Sequence, residues 1–128
     1  GNSCRSQMAE GLAKKYLSHY YIKSAGTDPE KVNPMAIEVM KEININISNH
    51  YSKSITDEKI QSFDIVITLC GDAKDKCLNI KNLAIQHIHW NIIDPSKTEG
   101  SNKEKLTVFR NVRNHIEKKI IALENKLT

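Results

Sequence analysis

Apolar side chains recur along this chain with two different periods, and the alternation between those periods sketches a fold. From residue 6 to residue 20, Met8, Ala9, Leu12, Ala13, Tyr16, Leu17 and Tyr20 fall into two rows at spacing four. That spacing lines one face of a helix. A short strand is expected next, Tyr21-Ile22-Lys23-Ser24-Ala25, stopped by Gly26, and Gly26-Thr27-Asp28-Pro29 is turn chemistry. Asn33 followed by Pro34 reads as an N-cap and first helical residue. Ala36, Ile37, Val39, Met40 and Ile43 supply the buried side of that second helix. Ser54-Ile55-Thr56-Asp57 has the spacing of a capping box, with Asp in place of the usual Glu, and opens a short helix to about Phe63. Asp64-Ile65-Val66-Ile67-Thr68-Leu69 is a nearly continuous β-branched run, the pattern of a strand buried on both faces. Residues 72 to 79 are charged and irregular. A third strand is expected from about Ala84 to Trp90, and a loop from Pro95 to Asn102. The last helix places Leu106, Phe109, Val112, Ile116, Ile120, Leu123 and Leu127 at steps of three or four.

The order is helix, strand, helix, helix, strand, strand, helix. Strands separated by helices pair in parallel, so the fold class is α/β with a small open parallel sheet. The 128 residues make one domain. The first helix follows directly on a glycine-containing polar turn, which in open α/β folds normally connects a strand to a helix. A strand ahead of Gly1 is therefore expected, and the chain reads as N-terminally truncated.

Composition narrows the class. A hydrophobic fraction of 39% and a charged fraction of 27% suit a globular domain and not a disordered one. No apolar run reaches the length of a membrane span. Nineteen basic and fifteen acidic residues are interspersed, and aromatics are only 5%, which speaks against a nucleic-acid partner. Three cysteines, Cys4, Cys70 and Cys77, exclude a scaffold of paired disulfides and point to a reducing, cytoplasmic setting. No signal peptide is read at Gly1.

Three features carry candidate chemistry. Gly1-Asn2-Ser3-Cys4-Arg5-Ser6 stands just before a helix, where backbone N–H groups and the helix dipole favour an anion. Arg5 can hold an oxyanion through two parallel hydrogen bonds; the alternative is a polar cap with a chance arginine. The lack of Gly-Lys-Ser/Thr speaks against a nucleotide-binding loop. Cys70 ends the buried strand, at the carboxyl edge where open α/β sheets place their sites. Cys77 follows seven residues later, across a charged segment that can bring the two sulfurs together by moving; the alternative is a buried strand cysteine and an unrelated loop cysteine. A zinc site is disfavoured, because His87 and His89 lie on another strand and no C-x2-C is present. Asp94-Pro95 follows the last strand, so Asp94 either faces the same pocket as an acid or simply forms a turn before proline. His87 and His89 share one face of their strand and read as satisfied core or rim histidines.

Taken together these features resemble a known family. Gly1-Asn2-Ser3-Cys4-Arg5-Ser6-Gln7-Met8-Ala9-Glu10-Gly11 looks like the oxyanion loop and first helix of the low-molecular-weight protein tyrosine phosphatase fold. Thr68-Leu69-Cys70-Gly71-Asp72-Ala73 with Cys77, His89-Trp90 ahead of Asp94-Pro95, and Phe109-Arg110-Asn111-Val112-Arg113 resemble its thioredoxin-coupled arsenate reductase branch. Ser24-Ala25-Gly26, Val32-Asn33-Pro34 and Ile47-Ser48-Asn49-His50 also fit.

The resemblance implies a three-layer sandwich and a C-x5-R loop whose nucleophilic cysteine lies two positions ahead of Gly1. Cys4 matches the loop's second cysteine, which the family does not use as nucleophile. By resemblance, Asn2, Ser3, Cys4, Arg5 and Ser6 bind arsenate or a phosphate-like oxyanion, and Ser6 hydrogen-bonds the nucleophile. Asp94 protonates the leaving oxygen, and Cys70 and Cys77 relay a disulfide to thioredoxin. No organic cofactor is expected, and the protein is expected to act as a monomer with no membrane partner. Some family members bind potassium beside the loop through residues matching Asn2, Glu10 and Ser24, plus an aspartate where this chain has Lys53. The Lys53 ammonium is expected to take the cation's place. Two other readings stand beside this one. A phosphatase of the same fold needs aromatics to hold a phosphotyrosine ring, whereas Ser96-Lys97-Thr98 follow Asp94-Pro95. A non-catalytic anion-binding or redox module is the reading if nothing precedes Gly1.

Overall fold

The computed structural model describes residues 4–26, 31–51, 57–69 and 84–127. Helix α1 runs Arg5–Tyr16, α2 Pro34–Lys41, α3 Asp57–Ile60 and α4 Asn102–Leu127. Strand β1 is Ile65–Thr68, β2 is Gln86–His89, and a 3-10 turn covers Pro95–Lys97. The strands pair in parallel, Ile65 opposite Gln86 and Thr68 opposite His89. Helices together with a small parallel sheet confirm the α/β class. Among the described residues, no helix is long and apolar enough to cross a membrane.

Helix α4 forms the spine of the core. Phe109, Val112, Ile116, Ile120 and Leu123 are its buried row, and they meet Met8 and Leu12 of α1 and Ala36, Val39 and Met40 of α2. Ile47, Trp90 and Ile92 close the cluster from the connecting segments. The step of three or four that marks this helix in the sequence is the stripe it buries. Its start is fixed by a capping box. The Ser101 hydroxyl accepts from the Glu104 amide, and the Ser101 amide donates to Glu104 Oε1, both at 3.2 Å. Helix α2 begins as its sequence indicates, with the Asn33 side chain accepting from the Met35 amide at 2.8 Å and Pro34 at the first position.

A salt-bridge cluster ties the end of α2 to α4. Arg110 grips Glu42 with two hydrogen bonds of 2.8 and 2.7 Å. The buried Arg113 donates from one nitrogen to Glu42 and to the Val39 carbonyl. The hydrogen bonds from Arg110 dominate in pulling the Glu42 carboxyl down from 4.5 to about 2.

Two boundaries depart from expectation. Helix α1 ends at Tyr16, so Tyr20 lies beyond it, half exposed. The segment Tyr21–Ala25 forms no strand among the described residues. Side-chain pattern alone cannot make a strand: the ladder needs a hydrogen-bonded neighbour. The described sheet is the β1–β2 pair, and this segment does not join it. Of the expected capping box Ser54–Asp57, the cap Ser54 and the next two residues lie outside the described residues, as does the charged stretch 72–79.

Candidate active site

The site is assembled where the N-terminus of α1 meets the carboxyl ends of both strands. Cys4 is the N-cap residue of α1, buried, with no side-chain cap of its own. The next residue, Arg5, is a cation only 7% exposed, and a charge that deep must be compensated. Its Nη1 donates to the Leu69 carbonyl just past β1 and to the Ile92 carbonyl past β2, both at 2.8 Å. Its Nη2 lies 3.8 Å from Asp94 Oδ2. One guanidinium therefore joins the first turn of α1 to both strand exits.

Asp94 uses its two oxygens differently. Oδ1 accepts from the Ser96 amide at 3.0 Å and the Ser96 hydroxyl at 2.7 Å, capping the 3-10 turn that begins at Pro95. Oδ2 faces Arg5. Asp94 thus shapes the turn before proline and also presents an oxygen to the arginine. Ser6 is half-buried in the first turn of α1. Four expected site residues, Asn2, Ser3, Cys70 and Cys77, lie outside the described residues, and so does Lys53.

A second polar cluster lies one turn further along α1. Glu10 is 5% exposed. Ser24 donates to its Oε1 at 2.6 Å, Lys14 to its Oε2 at 3.0 Å, and His50 Nδ1 lies 3.4 Å from Oε2. Gln7, fully buried, accepts at its Oε1 from the same His50 nitrogen at 3.1 Å and donates from its Nε2 to the Tyr51 carbonyl at 3.0 Å. The resemblance places the potassium ligands of some family members at Glu10 and Ser24, and here the two Glu10 oxygens meet the Ser24 hydroxyl and the Lys14 ammonium. Gln7, Lys14 and His50 were missed from sequence as part of this cluster. Lys14 at four residues from Glu10 was the one readable signal.

His87 and His89 are exposed on one face of β2 and are no part of the core. Both ring nitrogens that turn inward meet the Thr68 hydroxyl. They are satisfied rim residues, remote in role from the Arg5–Asp94 pair.

Comparison with known proteins places the chain among relatives of one family. The family model for low molecular weight phosphotyrosine protein phosphatase matches residues 1–128. The chain is 49% identical over 121 residues to an arsenate reductase of Halalkalibacterium halodurans, covering 94% of this chain and 86% of that one. It is 44% identical over 117 residues to the arsenate reductase of Bacillus subtilis, covering 91% and 84%. Among solved structures, an arsenate reductase in the phosphate-binding state superposes with a TM-score of 0.79 at 33% identity, covering 99% of this chain and 92% of that one. The family model spans the whole chain and these relatives cover most of it, so the chain belongs to the low molecular weight phosphotyrosine protein phosphatase family.

Proposed function

We propose that the full-length protein reduces arsenate to arsenite through a cysteine relay regenerated by thioredoxin. The observation that carries the reading is Arg5, a buried cation held by two strand-end carbonyls beside Asp94 at the head of α1. Such a site offers fixed positive charge and amide donors to a tetrahedral oxyanion without reorganisation. The naming of the relatives as arsenate reductases, at 44 to 49% identity, selects arsenate among such anions.

In this scheme a cysteine two positions ahead of Gly1, its thiolate favoured by the helix N-terminus and Arg5, attacks arsenate. Asp94 protonates the oxygen that leaves as water. The Cys70 thiolate then attacks the sulfur of the cysteine–arsenic adduct. The sulfur–arsenic bond breaks, its electron pair stays on arsenic, and arsenite departs. The two thiols have together given two electrons and become a disulfide. Cys77 attacks Cys70, releasing the first cysteine and leaving a Cys70–Cys77 disulfide, which thioredoxin reduces by exchange. Cys70 follows Leu69 directly, and the Leu69 carbonyl is one of the two that hold Arg5, which supports placing this thiol beside the anion.

The test is thioredoxin-coupled arsenate reduction by the full-length protein. Cys70→Ser should abolish turnover. Cys77→Ser should stop after a single turnover, because arsenite leaves before Cys77 acts. Slow hydrolysis of a small aryl phosphate should survive both changes, since Arg5 and Asp94 are untouched. Sustained turnover of Cys77→Ser at the unmutated rate rules the relay out. The segment Gly1–Thr128 by itself, lacking the first nucleophile, should release no arsenite.

A further inference from the structure

We propose that His87, His89 and Thr68 form a site for a borderline divalent transition-metal ion, of the zinc, copper and nickel class, on the exposed face of the sheet. His87 Nε2 lies 3.0 Å and His89 Nδ1 2.7 Å from the same atom, Thr68 Oγ1. The register explains how. Thr68 stands opposite His89, and His87 stands opposite Val66, one pleat back on the same face. The nearer histidine reaches the hydroxyl with its near nitrogen, and the farther one with its far nitrogen. Opposite choices of ring nitrogen cancel the stagger, and the two imidazoles converge.

Without an ion, the Thr68 hydroxyl donates to one ring and accepts an N–H from the other, and both contacts are satisfied. A change of tautomer in the second ring turns both lone pairs toward the same point. A cation beside the hydroxyl satisfies both nitrogen lone pairs and the oxygen together. Imidazole nitrogens are the preferred donors of zinc, copper and nickel, and hard ions such as calcium and magnesium take oxygen instead. Both histidines are exposed, so an ion can enter and water can complete its coordination. Thr68, 8% exposed, forms the floor. Among the described residues no group of three His, Cys, Asp or Glu side chains is arranged around a metal, so the site has two imidazoles, a hydroxyl and open positions. Its contacts differ from those of the Arg5 pair: the Thr68 hydroxyl meets the two histidines, while the carbonyl of the next residue, Leu69, holds Arg5.

The probe is zinc ion alone, added to the full-length reduced protein, with the ring nitrogens of every histidine followed by NMR. His87 Nε2 and His89 Nδ1 should shift together and saturate at one equivalent, while His19 and His115, exposed elsewhere, stay put. His87→Gln and His89→Gln should each weaken the saturating shift of the remaining ring by at least about tenfold, and Thr68→Val by about tenfold. Because each ring is read separately, zinc taken by cysteines does not mimic the result. Shifts that fail to saturate and match those of His19 and His115 overturn the proposal. So does a titration in which the His87 and His89 nitrogens never move, or one in which either histidine binds unchanged after the other is replaced.

Discussion

Arg5 holds two carbonyls with one nitrogen and turns another toward Asp94. A lysine carries the same charge but is a single point on a flexible stem and cannot reproduce the fork. Arg5→Lys should therefore lower arsenate reduction by the full-length protein by about 100- to 1000-fold, the scale of losing one preorganised donor at an anion site. Initial rates with saturating thioredoxin check it. The Glu10 cluster leads to a second prediction at this scale. With Lys14 and Ser24 on Glu10, and Lys53 where the family resemblance expects an aspartate ligand, the full-length protein should work equally well in sodium and potassium at matched ionic strength. Lys53→Asp should introduce potassium activation. A several-fold potassium effect on the unmutated protein counts against the idea. Arg5 and Asp94 are legible in sequence because each sits at a local signal, a helix start and a residue before proline. The Gln7–His50–Glu10 contacts are not, because His50 and Gln7 are separated by 43 residues and no local period says which loop will cover α1.

Among the elements, helix α1 is defined as much by what it lacks as by what it packs. A methyl group on Gly11 would lie 2.9 Å from Ile47 Cγ2 and 3.1 Å from Ile45 Cγ2 and Met40 Cε. Replacing a mid-helix glycine by alanine gains about 1 kcal/mol of helix propensity. Overpacking a filled core costs about 1–3 kcal/mol. Met40 Cε can swing aside, but Ile47 is fully buried and β-branched, so packing decides. Gly11→Ala should destabilise the fold by about 1 kcal/mol, read from urea midpoints. The helices follow from period and caps, which are local properties. The Ser101–Glu104 capping box was also readable, although the run from Pro95 with its Gly100 reads as plain loop up to Asn102. Strands are harder. Ile65–Thr68 declares itself by a β-branched run, whereas Tyr21–Ala25 has the composition of a strand without a ladder among the described residues.

Across the whole molecule, Glu42 is the electrostatic joint between α2 and α4. Its carboxyl titrates near 2 in the fold against 4.5 when free. The folded form holds its proton less tightly, so the joint contributes fully above pH 4.5 and is lost as pH falls toward 2. Acid unfolding should show this loss in that window, and Glu42→Gln should flatten it while lowering stability at neutral pH. Stability against urea at a series of pH values checks the sign. The arginine anchor has one more consequence, and it concerns time. Leu69 and Ile92 lie 64 and 87 residues from Arg5 along the chain. During synthesis Arg5 leaves the ribosome long before either acceptor exists, so the nascent protein carries an unanchored cation through most of its own translation. The Arg5 anchor closes only when the later-made segments have folded back onto α1. On the proposed function, arsenate affinity should therefore be a late milestone, rising in a refolding experiment after helix content, together with burial of Trp90.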